Sequence, residues 1–179
     1  MPDEPLPPET ATALEPPTIL VVDDEPELCL ALSKLLRRNG YQVLTAGNGE
    51  EGLDVLRRHE VHLVLSDLVM PKVDGLDLLK AAQVVSPGTE VVIITGHGTI
   101  ETAVGAMKRG AYDFLEKPFT TTTTLNVVRK ALEKQRLRAE NQALRRQLEE
   151  IQGKWDIIGK SRPMLATLET ARQVAASSA

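Results

Sequence analysis

The stretch "TILVVDDEPE", residues 18–27, decides how the chain is read. Four apolar residues, Ile19 to Val22, run without interruption into two adjacent aspartates, Asp23 and Asp24. A short run apolar at every position is what a strand needs when both faces of its sheet are covered. Two carboxylates at its end repel, and each raises the other's cost of ionising. A bound cation is the natural partner for such a pair.

The same alternation continues to about residue 119. Strand-like stretches fall at 18–22, 41–45, 61–66, 90–95 and 112–115. Helical patterns fall between them at about 25–38, 48–58, 74–84 and 99–109. Asn39-Gly40 is a stop signal for the first of these helices. Strands alternating with helices across short connections predict an α/β fold, with a parallel sheet and helices on both faces.

In an open parallel sheet the functional crevice lies at the carboxyl ends of the strands. Asp23 and Asp24 follow the first strand, Asp67 the third, in "LVLSDLVMP". Thr95 ends the fourth, in "VVIITGHG", and Lys117 follows the fifth, in "FLEKPF". The expected edge carries three carboxylates, one hydroxyl and one ammonium. The carboxylates suit a hard cation such as Mg²⁺, with Asp23 and Asp24 as ligands. Asp67 is the candidate nucleophile for an aspartyl-phosphate. The cation and Lys117 would neutralise phosphoryl oxygens, and Thr95 would hydrogen-bond one. Taken singly these residues have ordinary roles as well: Asp23 a helix cap, Lys117 a surface lysine, Thr95 a strand end. Their convergence on one edge favours the chemical reading.

"ILVVDDE", "LVLSDLVMPKVDGLDLL", "VVIITGHG" and "AYDFLEKPF" occur in order and properly spaced. Residues 18 to about 133 thereby resemble the receiver domain of two-component response regulators. The resemblance implies a flavodoxin-like, doubly wound five-stranded parallel sheet of order 2-1-3-4-5. It implies Asp67 as phosphoacceptor from a sensor histidine kinase, and Asp23, Asp24 and Asp67 as Mg²⁺ ligands. It also places Thr95 and Phe114 at the switch positions, although Phe114 is equally readable as a plain core residue. "TGHGTIETAVGAMKRGAYDFLEKPF", a long helix and "IIGKSRPM" are similar to the NtrC-type regulators. In that family a helical linker joins the receiver to an AAA+ ATPase that activates sigma-54 RNA polymerase. DNA and polymerase contacts would then belong to domains beyond these residues.

The expected organisation is a disordered tail at 1–17, a receiver at 18–124, a helical linker at 125–152 and the truncated start of an ATPase domain at 153–179. The tail holds six of the eleven prolines, four acids and no base, too polar to bury a core. In the linker, Leu137, Asn141, Leu144, Leu148 and Ile151 are spaced by 4, 3, 4 and 3, as coiled-coil a and d positions are. Leu125, Val128 and Leu132 fit upstream, but the step from 132 to 137 breaks register. A dimeric coiled coil is expected. The alternative is one amphipathic helix packed on its own domain. "TTTTT" at 120–124 leaves the helix start in doubt, because β-branched residues are mediocre helix formers.

Other classes are disfavoured. Net charge is −4, which gives no bulk attraction to nucleic acid. No apolar run approaches the roughly 20 residues of a membrane span, and a cytoplasmic protein without membrane contact is expected. Cys29 stands alone in an apolar helical pattern and reads as a buried, inert thiol. "GKS" at 159–161 lacks the P-loop glycine, since residue 154 is Lys154, so no ATP hydrolysis is expected. A haloacid-dehalogenase-type phosphatase needs a second aspartate where Val69 stands, and without it a phospho-aspartate should be long-lived. The few aromatics offer no flavin-stacking loop. His59 and His62 read as surface residues, and His97 receives no catalytic role.

Overall fold

The structure, a computed structural model, describes residues 15–96 and 100–159, with side chains for 15–96 and 103–150. Expectations for residues 1–14, His97, the ATPase-like segment from 160 onward and the side chains of Ile100 and Ile151 lie outside the described residues.

Five strands form one parallel sheet in the order β2-β1-β3-β4-β5. They are β1 (Thr18–Val22), β2 (Gln42–Ala46), β3 (Leu63–Asp67), β4 (Glu90–Thr95) and β5 (Asp113–Glu116). The helices between them are α1 (Pro26–Arg38), α2 (Gly49–Arg58), α3 (Gly75–Val85) and α4 (Ile100–Lys108), and α5 (Thr121–Gly159) follows β5. The flavodoxin-like order expected from the sequence is the one found. β1, β3 and β4 lie inside the sheet, which is why their sequences are the continuously apolar ones.

Alternation along these strands feeds two separate cores. Ile19, Val21, Leu63, Leu65, Val92 and Ile94 face α1 and α5, where Leu32, Leu36, Val128, Ala131 and Leu132 are buried. Leu20, Val22, Val64, Val91 and Ile93 face the other way, toward Leu56 of α2, Leu78, Leu79 and Ala82 of α3 and Ala106 of α4. Each such Leu, Ile or Val side chain contributes on the order of 1.5–3 kcal/mol by leaving water.

Val128 and Leu132, which also fit a coiled-coil stripe, are therefore receiver-core residues, and Leu125 packs partly against them. The register break between 132 and 137 marks the point where α5 stops serving that core. The helix also begins earlier than expected, at Thr121. Thr120 secures it: its Oγ1 accepts the Thr123 N–H at 3.1 Å, and its carbonyl accepts the Thr124 hydroxyl at 3.0 Å. The threonine run supplies a cap, which outweighs its weak helix propensity. At its far end α5 continues through Gly153 to Gly159, where the sequence suggested a stop.

Asn39 closes α1, and Gly40 at φ +85° makes the turn into β2. The chain divides into two compact units, Met1–Gln135 and Arg136–Ala179. Along the α5 residues of the second unit, Leu137, Leu144 and Leu148 are each more than half exposed.

Candidate functional site

The carboxyl ends of β1, β3, β4 and β5 meet at one edge. Val22 stands beside Ser66, Asp67 beside Ile94, and Thr95 beside Glu116. Asp67 is the last residue of β3 itself, so the sheet ladder fixes its backbone. Gly75, at the start of α3, packs so closely that an added Cβ would collide with the Asp67 carbonyl. The intervening loop is held from outside: Lys72, at φ +69°, places its Nζ 2.7 Å from Glu50 Oε2 of α2.

Lys117 follows β5 and donates its backbone N–H to the Thr95 carbonyl at 2.8 Å. Its Nζ lies 2.9 Å from Asp67 Oδ1, 3.1 Å from Asp23 Oδ2 and 3.1 Å from Glu25 Oε1. The remaining aspartate oxygens accept backbone amides: Glu25 N–H to Asp23 Oδ1 at 2.8 Å, and Val69 N–H to Asp67 Oδ2 at 2.9 Å. Both oxygens of Asp67 are thus engaged.

Asp23 and Asp67 are buried, at 1% and 6% exposure. Burial is the largest influence on Asp23 and pushes its carboxyl pKa up; the Asp67 charge adds to this, and the Glu25 amide and Lys117 only partly offset it. Burial alone would lower the Lys117 ammonium, but the hydrogen bonds it donates to Asp67, Asp23 and Glu25 hold it above the ordinary lysine value. Cys29 lies underneath, its thiol donating to the Asp23 carbonyl at 3.4 Å, with a pKa raised by burial first and by the Asp23 charge second.

The other expected residues divide. Thr95 is buried at the same edge, at 3% exposure. Asp24 is exposed, although its neighbour Asp23 is buried. Asp23 is not the cap of α1; Glu25 occupies that position. Phe114 is 37% exposed, together with Val104 and Met107 at 44% each, so it is not a plain core residue. His59 is exposed, whereas His62 is half-buried and accepts the Thr18 N–H on Nδ1 at 3.1 Å. Two contributors escaped the sequence reading. One is the Val69 amide, a backbone group with no sequence signal. The other is Glu25, whose only signal is its place beside the aspartate pair.

As the side chains stand, no group of three or more His, Cys, Asp or Glu among the described residues is arranged to hold a metal ion. The Lys117 ammonium occupies the space between Asp23 and Asp67. The donor chemistry nevertheless fits a hard divalent cation. Asp23, Glu25 and Asp67 set three carboxylates against the Lys117 ammonium, Asp24 adjoins them in sequence, and all these donors are oxygen.

The acid-lined edge with its bridging lysine thus lies at the carboxyl ends of a 2-1-3-4-5 sheet. Residues 19–129 match the response regulator receiver domain family, and the chain belongs to it. Among curated relatives, the transcriptional regulatory protein GlrR of Escherichia coli (strain K12) is 40% identical over 163 residues, covering 91% of this chain and 34% of that protein. The nitrogen assimilation regulatory protein NtrX of Azorhizobium caulinodans is 40% identical over 129 residues, 71% of this chain and 28% of that protein. The chain thus spans about a third of the length of the curated relatives it matches. Among solved structures, the NtrX receiver domain of Brucella abortus superposes with a TM-score of 0.62 at 40% identity, covering 64% of this chain and 98% of that one. The beryllofluoride-activated NtrC4 receiver domain dimer gives 0.63 at 37% identity, covering 66% and 98%.

Proposed function

We propose that this chain is the phosphoacceptor part of a two-component response regulator of the NtrC type, with Asp67 taking the phosphoryl group of a sensor histidine kinase. The observation that carries this reading is the Lys117 ammonium bridging Asp67 and Asp23 at the carboxyl edge of the sheet. An Asp67 oxygen attacks phosphorus, the phosphorus–nitrogen bond to the kinase histidine breaks, and the imidazole leaves with the electron pair. Lys117 moves from carboxylate to phosphoryl oxygens and neutralises the charge gathered there. Val69 N–H continues to orient the carboxylate. Thr95, at the end of β4, donates its hydroxyl to a phosphoryl oxygen, and Phe114 moves with it. Asp23, Asp24 and Asp67 would hold Mg²⁺, which when bound supplies further charge neutralisation for phosphoryl transfer. Val69 offers no acid or base for hydrolysis, which favours a signal over turnover.

The output would be transcriptional, through an ATPase acting on sigma-54 polymerase and through DNA contacts, all in segments beyond this chain. Two relatives support this by their names, transcriptional regulatory proteins GlrR and DctD. Homodimerisation through the exposed leucines of α5 and the face bearing Phe114 is part of the same reading, and the NtrC4 receiver dimer supports it. Among the described residues no helix is long and apolar enough to cross a membrane, and we assign the chain to the cytoplasm.

The test is intact mass after incubation with acetyl phosphate and Mg²⁺. Wild type should gain one phosphoryl group and Asp67→Asn none. An adduct that persists in Asp67→Asn removes Asp67 from the role.

A further inference from the structure

Glu25 breaks a local rule. It is the N-cap of α1, a position that favours Ser, Thr, Asp or Asn, and its side chain makes no capping hydrogen bond. Pro26 begins the helix instead. Freed from capping, the Glu25 carboxylate reaches Lys117, far along the chain, with Oε1 3.1 Å from Nζ. Local irregularities of this kind concentrate at functional sites.

The three partners of Lys117 are not alike. Asp23 and Asp67 are buried and held by backbone amides. The Glu25 side chain is 68% exposed, so it meets solvent while it holds the lysine. Its backbone N–H fixes Asp23 while its carboxylate holds the lysine. An incoming phosphoryl group therefore meets an ammonium already shared among three carboxylates, of which Glu25 is the one open to solvent.

We propose that Glu25 is a positioning residue: it holds Lys117 in the unphosphorylated chain and competes with the incoming phosphoryl group for that ammonium, slowing phosphorylation of Asp67. The inference rests on Asp67 being the phosphoacceptor. Transfer from acetyl phosphate forms the bond from an Asp67 oxygen to phosphorus and breaks the bond to acetate, which leaves with the electron pair. Glu25 takes no part in that exchange. It sets how readily Lys117 is released to accompany it.

The experiment measures initial phosphorylation rates of the full chain against acetyl phosphate concentration, at fixed Mg²⁺, by intact mass. Glu25→Gln and Glu25→Ala are compared with wild type. Glu27→Gln serves as a control, because Glu27 is an exposed acid in the first turn of α1 with the same charge. An exposed ion pair predicts a gain of about two- to fivefold for both Glu25 variants at low salt. That gain should fall toward one at about 0.5 M salt, where screening is short-ranged, and Glu27→Gln should stay close to wild type. The proposal is overturned if neither Glu25 variant is faster, if Glu27→Gln gains as much, or if the gain ignores salt. Wild type that takes up no phosphoryl group, or Asp67→Asn that takes it up equally well, defeats the underlying phosphoacceptor reading and this inference with it. Normal labelling of Asp67 with an unchanged Glu25→Gln rate defeats this inference alone.

Discussion

Lys134 Nζ on α5 lies 3.2 Å from Glu90 Oε2 at the start of β4, and 4.8 Å from the centre of the Tyr112 ring. Glu90 is 4% exposed, so its carboxylate depends on charged company. The contact fastens α5 to the amino-terminal edge of the sheet, opposite the aspartates. Lys134→Met keeps most of the apolar stem but withdraws the ammonium. It should lower unfolding stability by about 1–3 kcal/mol, the range for a buried acceptor losing a partner. Urea denaturation followed by circular dichroism measures this, and equal midpoints for Lys134→Met and wild type would refute it.

Asp23 should make stability depend on pH. Its folded pKa is raised, chiefly by burial, above the ordinary aspartate value of 3.8. Such a carboxyl binds more protons folded than unfolded. It therefore costs stability above its folded pKa, and the cost fades as pH falls through that value toward 3.8. Without divalent metal, Asp23→Asn should melt higher than wild type at pH 7. The difference should shrink as pH approaches 4. Calorimetry across pH decides this, and a gap that widens on acidification would contradict the assignment.

Thr120 should matter out of proportion to its exposed position. Its hydroxyl accepts the Thr123 N–H, and the same hydroxyl lies 2.9 Å from that of Thr123. Thr120→Ala should cost about 1 kcal/mol and Thr120→Ser much less, because serine caps as well as threonine. Thermal melts of the two variants test this, with equal losses counting against the cap.

Dimerisation through α5 predicts a concentration-dependent sedimentation coefficient. Leu137, Leu144 and Leu148 are 53%, 53% and 58% exposed in the single chain. Pairing would remove each from water for on the order of 1.5–3 kcal/mol before ordering costs. Leu144→Asp/Leu148→Asp should sediment as a monomer at concentrations where wild type is dimeric, with beryllofluoride shifting wild type further toward dimer. A wild type that remains monomeric in both conditions would favour the single-helix alternative.

Much of the architecture was legible because the buried strands are apolar at every position. Ile19–Val22, Leu63–Leu65 and Val91–Ile94 have no second interpretation once helices flank them. The helix start at Thr121 was less legible, because threonine has two opposed properties: its branched Cβ disfavours helix and its hydroxyl caps one. Asp23 and Asp24 look equivalent in sequence, yet one is buried and the other exposed, since neighbours leaving a strand point in different directions. The Val128 and Leu132 spacing suits a coiled coil and a receiver core equally. Only the sheet beneath them decides. Glu25 escaped because its partner, Lys117, lies on the far side of the domain in sequence, and no periodicity links them.

The double engagement of Asp67 bears on signal quality. A small acyl phosphate, such as the acetyl phosphate of the test above, would need no docked partner to reach the carboxylate. With Oδ1 on Lys117 and Oδ2 on the Val69 amide, no oxygen of Asp67 stands idle. Releasing a charge-assisted hydrogen bond costs about 1.5–3 kcal/mol, which thins spontaneous labelling by about 10- to 150-fold. A docked kinase, with a large interface to draw on, can meet that threshold where a stray metabolite rarely does. On the function proposed above, the resting chain is a low-leak receiver, and its false-alarm rate is set by the release of Lys117.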